Sequence, residues 1–167
     1  MNKLLFSSVF INLPKSINLT LNKGDHISIK RNIKNLTSYR HHGIYIGNDE
    51  VIHYSDENMN PITAEIKKTS INKFIGKSDI KTLRILYYEK YNLNTIYSNK
   101  SFEPYTVVAR AYSRLGEKSY NILNNNCEHF ANYCKVGISK SIQSDNIINR
   151  LIYLRDGIDN IIKYAKN

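Results

Sequence analysis

Apolar and polar residues alternate through the first half of the chain, which is the pattern of β-strands with one buried face. The alternating segments are residues 17–21, 26–30, 41–46, 50–54 and 80–88. The turn Gly47-Asn48-Asp49 joins the third and fourth segments, so the sequence predicts a β-hairpin there. The polar stretch from Arg31 to Ser38 is predicted to be a loop.

The second half of the chain follows the 3.6-residue period of amphipathic helices. Residues 102–115 carry apolar side chains at helical spacing, and Gly116 follows as a stop. Asn126 is a good N-cap, so a second helix is predicted from Cys127 to the stop at Gly137. A third amphipathic helix is predicted from Asp145 onward, with a break at Gly157.

Length and charge narrow the class of protein but not its function. The 167 residues suit one domain with a single core. The formal net charge of +10 favours anionic partners, either lipid headgroups or nucleic-acid phosphates, without choosing between them. No apolar run approaches the roughly 20 residues of a membrane span. The modestly apolar residues 1–13 are predicted to form a strand or packed arm rather than a signal peptide.

The chain has two cysteines, Cys127 and Cys134. On one helix their seven-residue spacing separates them by ~10 Å along the axis. A disulfide needs Cα atoms closer than ~7 Å, so the two cannot pair. This predicts a reduced protein, located inside the cell and in the cytoplasm.

Cys127 is the candidate nucleophile because a helix start favours a thiolate. The helix dipole and the unpaired N–H groups should lower its pKa, and the same N–H groups could bind an oxyanion. A base must come from the hairpin, which offers His41, His42 and His53. His41 and Tyr45 share one face of their strand and His42 takes the other, while His53 can lie opposite the His41 strand. One imidazole would activate the thiol and the second would orient the first.

Structural explanations compete with this interpretation. A cysteine within a helix is usually buried packing, and a strand histidine is usually hydrogen-bonded within the fold. Glu128 and His129 would most simply lie on a solvated helix face. The histidines could also hold a metal, but no tight ligand spacing supports this, so neither a metal nor another cofactor is expected.

Three sequence blocks carry a family resemblance. Asn126-Cys127-Glu128-His129-Phe130 reads NCEHF, Gly24 to Ile27 reads GDHI, and Tyr39 to Gly47 reads YRHHGIYIG, followed by Val51-Ile52-His53-Tyr54. Their order and spacing resemble the lecithin:retinol acyltransferase and HRAS-like suppressor family, over roughly Leu21 to Gly137. The resemblance implies an α+β fold, with a small antiparallel sheet packed against helices. It also implies a circularly permuted papain-like (NlpC-type) topology, in which the histidines precede the cysteine.

The resemblance assigns roles to individual residues. It implies that Cys127 is the nucleophile, His41 the base and His53 the orienting histidine. His42 takes a position where the family often has an aromatic residue, which suggests packing or substrate lining. His129 belongs to the motif but not to the triad.

The resulting hypothesis is a thiol-dependent acyltransferase or phospholipase that acts on lipid esters through a Cys127 thioester. The alternatives are a cysteine peptidase or amidase of the same superfamily, and a non-catalytic membrane-binding module. Three segments are predicted: an N-terminal arm (1–20), a catalytic domain (21–137) and a C-terminal amphipathic helical extension (138–167).

The expected partners follow from this hypothesis. They are a lipid ester and, through the extension, an anionic membrane surface, which would make the protein peripheral to the membrane. The extension could instead pack its apolar stripe on the domain. Nucleic acid is not expected, and the oligomeric state stays open.

Overall fold

The computed structural model describes residues 19–33, 37–56, 60, 62–88 and 101–165. Five strands form one antiparallel sheet in the order β4-β3-β2-β1-β5. The strands are β1 (His26–Ile33), β2 (Thr37–Gly47), β3 (Glu50–Ser55), β4 (Glu65–Ser70) and β5 (Arg84–Ile85). The helices are α1 (Ile71–Ile75), α2 (Pro104–Tyr112), α3 (Cys127–Val136) and α4 (Ile142–Ala165). The predicted α+β fold, a small antiparallel sheet packed against helices, is confirmed.

Each face of the sheet buries its own apolar cluster. On one face, helices α2 and α3 cover side chains that include Ile44, Ile52 and Cys127. On the other face, Ile29, Tyr45 and Phe74 belong to the second cluster, which α1 helps to cover. Consecutive strand residues point to opposite faces, so odd and even positions of β2 serve different clusters.

The predicted hairpin between β2 and β3 is confirmed. Asn48 and Asp49 have φ angles of 52° and 57°, as a two-residue turn between twisted antiparallel strands requires. The ladder runs from Gly47↔Glu50 to Ile44↔Ile52. Before Ile44, β2 has β1 as its ladder partner, and after Ile52, β3 has β4. The edge of β2 that faces β3 is therefore open around residues 40–42.

Several boundaries differ from the sequence predictions. The predicted loop from Arg31 to Ser38 is wrong at both ends, because β1 extends to Ile33 and β2 begins at Thr37; residues 34–36 lie outside the described part. The predicted strand 80–88 is a 3-10 turn at Ile80–Thr82 followed by the short β5. Within the predicted strand 17–21, residues 19–21 form no strand, and the remainder lies outside the described residues.

The helical predictions hold with shifted ends. The first predicted helix shortens to α2, and α3 runs from Cys127 to Val136 with left-handed Gly137 as its C-cap. Helix α4 starts at Ile142 and continues through Gly157, so the predicted break is wrong. None of the described helices is long and apolar enough to cross a membrane. Residues 1–18 of the predicted arm lie outside the described part, and the division into three segments stays a prediction.

Candidate active site

The start of α3 is fixed by an unusually complete cap. The Asn126 side chain accepts hydrogen bonds from the backbone N–H groups of Glu128 (2.9 Å) and His129 (3.2 Å). In return, His129 Nδ1 accepts from the Asn126 backbone N–H (3.2 Å). The Asn126 amide also donates to the hydroxyls of Ser141 and Ser144. The predicted N-cap is confirmed, and the cap gives a structural reason for the asparagine and the histidine of the NCEHF motif.

Cys127 lies against the open edge of β2. Its side chain is buried, and Sγ lies 4.0 Å from the carbonyl oxygen of Arg40. The backbone N–H of His42 also hydrogen-bonds to this sulfur. The Cys127 sulfur therefore contacts the backbone of the residues on both sides of His41, Arg40 and His42. Within the described residues, no hydrogen bond joins Sγ directly to the His41 ring.

Burial determines the protonation state of the Cys127 side chain. It raises the pKa of the Cys127 thiol to about 11, although the His42 N–H and the charge of Arg31 act in the opposite direction. The sequence-based expectation of a lowered pKa is therefore wrong. The stabilisation of a thiolate by the helix start is smaller than the cost of removing solvent from the sulfur. The resting Cys127 side chain is therefore a thiol, and its ionisation requires a base.

His41 and His53 form a hydrogen-bonded pair on the opposite face of the sheet. His41 Nε2 lies 2.8 Å from His53 Nδ1, and the Phe74 ring stacks on His41 with a centroid distance of 5.2 Å. Gly43 lies two positions after His41 in β2 and faces His53 of β3: a Cβ there would come within 3.1 Å of His53 Cβ and 2.7 Å of a Val51 methyl. A glycine at this position therefore lets the two histidines approach.

The other hydrogen bonds of the His53 ring affect which ring nitrogen of His41 can accept a proton. His53 Nε2 lies 2.9 Å from Thr69 Oγ1, and His53 Nδ1 also lies 2.8 Å from the Tyr54 carbonyl oxygen. A carbonyl oxygen only accepts, so in one tautomer of neutral His53 the Nδ1–H donates to Tyr54. In the other tautomer the Nε2–H donates to Thr69, and Nδ1 gives up the carbonyl bond and accepts from His41 Nε2–H. His41 Nδ1 makes no hydrogen bond within the described part of the chain, and in this tautomer it carries the free lone pair. This is the form that a general base requires.

Both histidines are neutral at physiological pH. Burial lowers the pKa of His41 well below its usual value, and the charge of a protonated His53 lowers it further. Burial, followed by the charge of Arg31, lowers the pKa of His53 to about 3. In the resting structure the His41 imidazole and the Cys127 thiol are therefore both neutral.

His42 belongs to a different network, on the α3 face. His42 Nδ1 lies 2.8 Å from His26 Nε2, and His26 Nδ1 in turn lies beside the Tyr88 hydroxyl. The predicted separation of His41 and His42 onto opposite faces is therefore confirmed. Glu128 is buried, accepts from the Ser141 hydroxyl and interacts electrostatically with His42. Glu128 and His129 are thus parts of the interior, and the solvated face considered from the sequence is wrong.

Two tyrosines near Cys127 were not among the residues predicted from the sequence. Tyr39 and Tyr120 both interact electrostatically with Cys127, and burial raises the pKa of each phenol. Both side chains therefore stay protonated and can donate hydrogen bonds. Tyr39 lies two residues before His41 on the same face of β2, so its spacing could have identified it. Nothing in the sequence pattern brings Tyr120 to this place.

The remaining candidates are accounted for by packing. Cys134 is a free cysteine, fully buried in the cluster with Phe130 and Ala131. Its seven-residue separation from Cys127 along α3 keeps the two thiols apart, as predicted. Among the described residues, no group of three His, Cys, Asp or Glu side chains could hold a metal ion.

Comparisons with known proteins agree with the resemblance. A family model described as lecithin retinol acyltransferase matches residues 20–140. The chain is 28% identical over 159 residues to a rat lecithin retinol acyltransferase, covering 86% of this chain and 66% of the relative. It is 32% identical over 129 residues to mouse phospholipase A and acyltransferase 3 (72% and 74% coverage) and 30% identical over 129 residues to human phospholipase A and acyltransferase 2 (72% and 74%). The chain thus spans slightly less than two thirds of the length of the rat enzyme.

Proposed function

Because the chain belongs to the lecithin retinol acyltransferase family, we propose that it transfers or hydrolyses the acyl groups of lipid esters through a thioester on Cys127. The main support for the proposal is the position of the Cys127 thiol. The capped start of α3 places it against the β2 backbone around His41, and the His41 ring is hydrogen-bonded to His53. Relatives named as phospholipase A and acyltransferase support the lipid ester as substrate.

The chemistry begins with proton transfer from the Cys127 thiol to His41 Nδ1. As the sulfur attacks the ester carbonyl, the new charge on His41 is stabilised by its Nε2–H bond to His53. The tetrahedral intermediate then collapses, the C–O bond breaks, and the imidazolium returns the proton to the departing alcohol or lysolipid. Water, an alcohol or an amine, deprotonated by the same imidazole, takes the acyl group from sulfur in the second half-reaction.

The oxyanion needs donors that the helix cap leaves free. The sequence led us to expect the unpaired N–H groups of the helix start to serve here, but those of Glu128 and His129 are already bonded to Asn126. We assign this role instead to the Cys127 backbone N–H together with the phenol of Tyr39 or Tyr120, whose protonated state suits a donor.

We also propose that α4 holds the protein at an anionic membrane surface on the cytoplasmic side. From Ile147 onward, the large apolar side chains with described surroundings are all more than a third exposed: Ile147, Ile148, Leu151, Ile152, Tyr153, Leu154 and Ile158. Packing of this stripe on the domain, the alternative considered from the sequence, therefore lacks support. Exposed Arg150 and Arg155 would lie near anionic headgroups while the apolar residues enter the interface. The two free cysteines suit a reducing compartment.

A comparison of two leaving groups tests the substrate class. Dihexanoyl phosphatidylcholine is offered as the ester, and a peptide library as the amide substrate, to the wild type and to Cys127→Ser and Cys134→Ser. We expect ester cleavage by the wild type and by Cys134→Ser, loss in Cys127→Ser, and no peptide cleavage. Peptide cleavage without ester cleavage would contradict the proposal and identify a peptidase. Absence of both reactions would contradict catalysis and leave the membrane-binding module.

A further inference from the structure

A cavity of about 300 Å³ opens on the α3 face of the sheet, beside the nucleophile. Its volume is at the lower end of the range for small-molecule sites. Three of its polar residues lie in register across neighbouring strands, because Ser28 of β1 pairs with His42 of β2 on one side and with Arg84 of β5 on the other. Residues in such a row share one face of the sheet, and Arg40, two positions before His42, lies on it as well.

The two arginines bring positive charge into this cavity without a carboxylate partner. The Arg40 guanidinium donates to Ser28 Oγ (2.9 Å) and to the carbonyl oxygens of Ser28 (2.9 Å) and Thr82 (2.7 Å), which are neutral acceptors. Arg84 is exposed, and among the described residues neither arginine lies within ion-pair distance of an acid. Burial, followed by repulsion from the charge of Arg84, lowers the pKa of Arg40.

The acidic residue in the wall does not neutralise this charge. The Glu128 carboxylate accepts from the Ser141 hydroxyl (2.6 Å) and from the backbone N–H of Gln143 (3.1 Å), and it interacts with His42. It is thereby held at the α4 side of the cavity. An anion between Arg40 and Arg84 would relieve the repulsion between them and gain hydrogen bonds to both.

The cavity and the Cys127 thiol share one residue, Arg40. The Arg40 residue that supplies one guanidinium also supplies the carbonyl oxygen 4.0 Å from Cys127 Sγ. Gln143 pairs with both backbone groups of Arg40, accepting from its N–H (2.8 Å) and donating to its carbonyl (3.1 Å), which fixes the strand between cavity and thiol. Ile85 and Ile142 add an apolar wall. A ligand with an anionic group a few bonds from an ester could therefore place one in the cavity and the other at the sulfur.

We propose that this cavity is a subsite for a phosphate group, bound between Arg40 and Arg84, and that it receives the headgroup phosphate of a phospholipid substrate. The inference rests on the proposed lipid-ester activity for its substrate, but the binding of phosphate itself does not. Inorganic phosphate would satisfy the same guanidinium groups, so the experiment has to separate the two sources.

The test uses Arg84, since Arg40 carries three hydrogen bonds of the fold. Arg84→Gln removes the charge, Arg84→Lys keeps it, and Lys77→Gln makes the same charge change at an exposed position away from the cavity. Two quantities are measured on the full chain: the Kd for inorganic phosphate by calorimetry, and the ratio of the KM for dihexanoyl phosphatidylcholine to the KM for p-nitrophenyl hexanoate, an uncharged ester.

We expect Arg84→Gln to raise both the phosphate Kd and the KM ratio by about tenfold or more, the loss that accompanies one charged hydrogen bond. Arg84→Lys should recover part of each, and Lys77→Gln should change neither. If the phosphate Kd rises while the KM ratio stays constant, the site takes free phosphate and the headgroup assignment is overturned. If Arg84→Gln changes neither quantity, the subsite itself is overturned.

Failure of the parent proposal gives a different result. If neither ester is cleaved by the wild type, the acyl-transfer activity is contradicted. The phosphate titration still decides whether the anion subsite exists, because it measures binding without turnover.

Discussion

Cys127 reaches the backbone around His41 because β2 has no strand partner among the described residues on its β3 side around residues 40–42. It approaches from the α3 face, while the His41 ring lies with His53 and Phe74 on the other face. Burial leaves both the thiol and the imidazoles uncharged. The resting site therefore holds no thiolate–imidazolium pair. Under the proposed mechanism, its reactivity depends on the hydrogen bond between His41 and His53.

That hydrogen bond can be tested with two replacements of similar size at one position. In His53→Gln the amide oxygen can still accept from His41 Nε2–H, whereas in His53→Leu it cannot. We expect kcat/KM for a short-chain ester to be about tenfold or more higher in His53→Gln than in His53→Leu. His41→Ala, which removes the base, should lower kcat/KM by about 100-fold or more.

The outcome also checks the register of the strand. His42→Phe replaces a histidine on the opposite face and should cost far less activity than His41→Ala. Equal activity of His53→Gln and His53→Leu would contradict an orienting role for His53. A greater loss of activity in His42→Phe than in His41→Ala would show that the base is not His41.

At the scale of secondary structure, the start of α4 belongs to the active-site frame and the rest of the helix does not. Ser141 and Ser144 bind the Asn126 amide, and Gln143 binds the backbone of Arg40. Beyond Ile147 the helix exposes its apolar side chains. The predicted C-terminal extension from residue 138 therefore combines two parts with different tasks.

Two truncations separate these tasks. A chain ending at residue 150 keeps every contact of α4 with the Cys127 cap, so we expect it to fold and to retain cleavage of a soluble ester. It should lose co-sedimentation with phosphatidylserine-containing vesicles, because most of the exposed stripe, from Leu151 to Ile158, and Arg155 are gone. A chain ending at residue 140 also removes Ser141, Gln143 and Ser144 and should be destabilised by several kcal/mol, since buried polar partners are left unsatisfied.

The vesicle assay distinguishes a membrane element from a folding element. Binding of the full chain should weaken as salt rises, because charge attraction is screened over about 10 Å at 0.1 M ionic strength. Undiminished vesicle binding by the chain ending at residue 150 would contradict the role of α4. Unfolding of that chain would show that the distal helix supports the core.

The sequence predicted some elements well because their signals are local. The turn Asn48-Asp49 and the cap Asn126 are decided by neighbouring residues, so the hairpin and α3 appear at the predicted places. Strand β4 was missed because it is an edge strand in which only Ile66 is buried. The predicted loop 31–38 failed because polar residues also form the exposed ends of long paired strands.

For the candidate site, the family motif and the sequence spacing supplied Cys127, His41 and His53. The pKa of Cys127 could not be predicted in this way, since it depends on the tertiary cover over the sulfur. The partners of His53 and the position of Tyr120 likewise come from segments distant in sequence.

Considered as a whole, the molecule buries all five of its histidines, His26, His41, His42, His53 and His129, in uncharged form. Burial lowers the pKa of each one, in His42 to about 4 and in His53 to about 3. In the unfolded chain they titrate near pH 6.5. Acidification below pH 6.5 therefore adds protons to the unfolded state first, and the native state loses stability.

This linkage predicts the acid sensitivity of the fold. Between pH 6.5 and 5, the free energy of unfolding should fall by about 1.4 kcal/mol per pH unit for each histidine that is protonated only on unfolding. Above pH 7 it should be independent of these groups. Chemical denaturation at half-unit pH intervals gives the slope, and His26→Leu should reduce it by about one proton. A free energy that stays constant from pH 7 to 5 would contradict neutral burial of the histidines.

The most direct test of the account is the chemical identity of the acyl-enzyme. The protein is mixed with dihexanoyl phosphatidylcholine, quenched in acid within the first turnovers, and analysed by peptide mass mapping with and without hydroxylamine. We predict one hexanoyl group on the peptide that contains Cys127, removed by hydroxylamine, absent from Cys134 and absent in His41→Ala. An acyl group on Cys134, or release of hexanoate by an enzyme that never carries an acyl group on Cys127, would contradict the account.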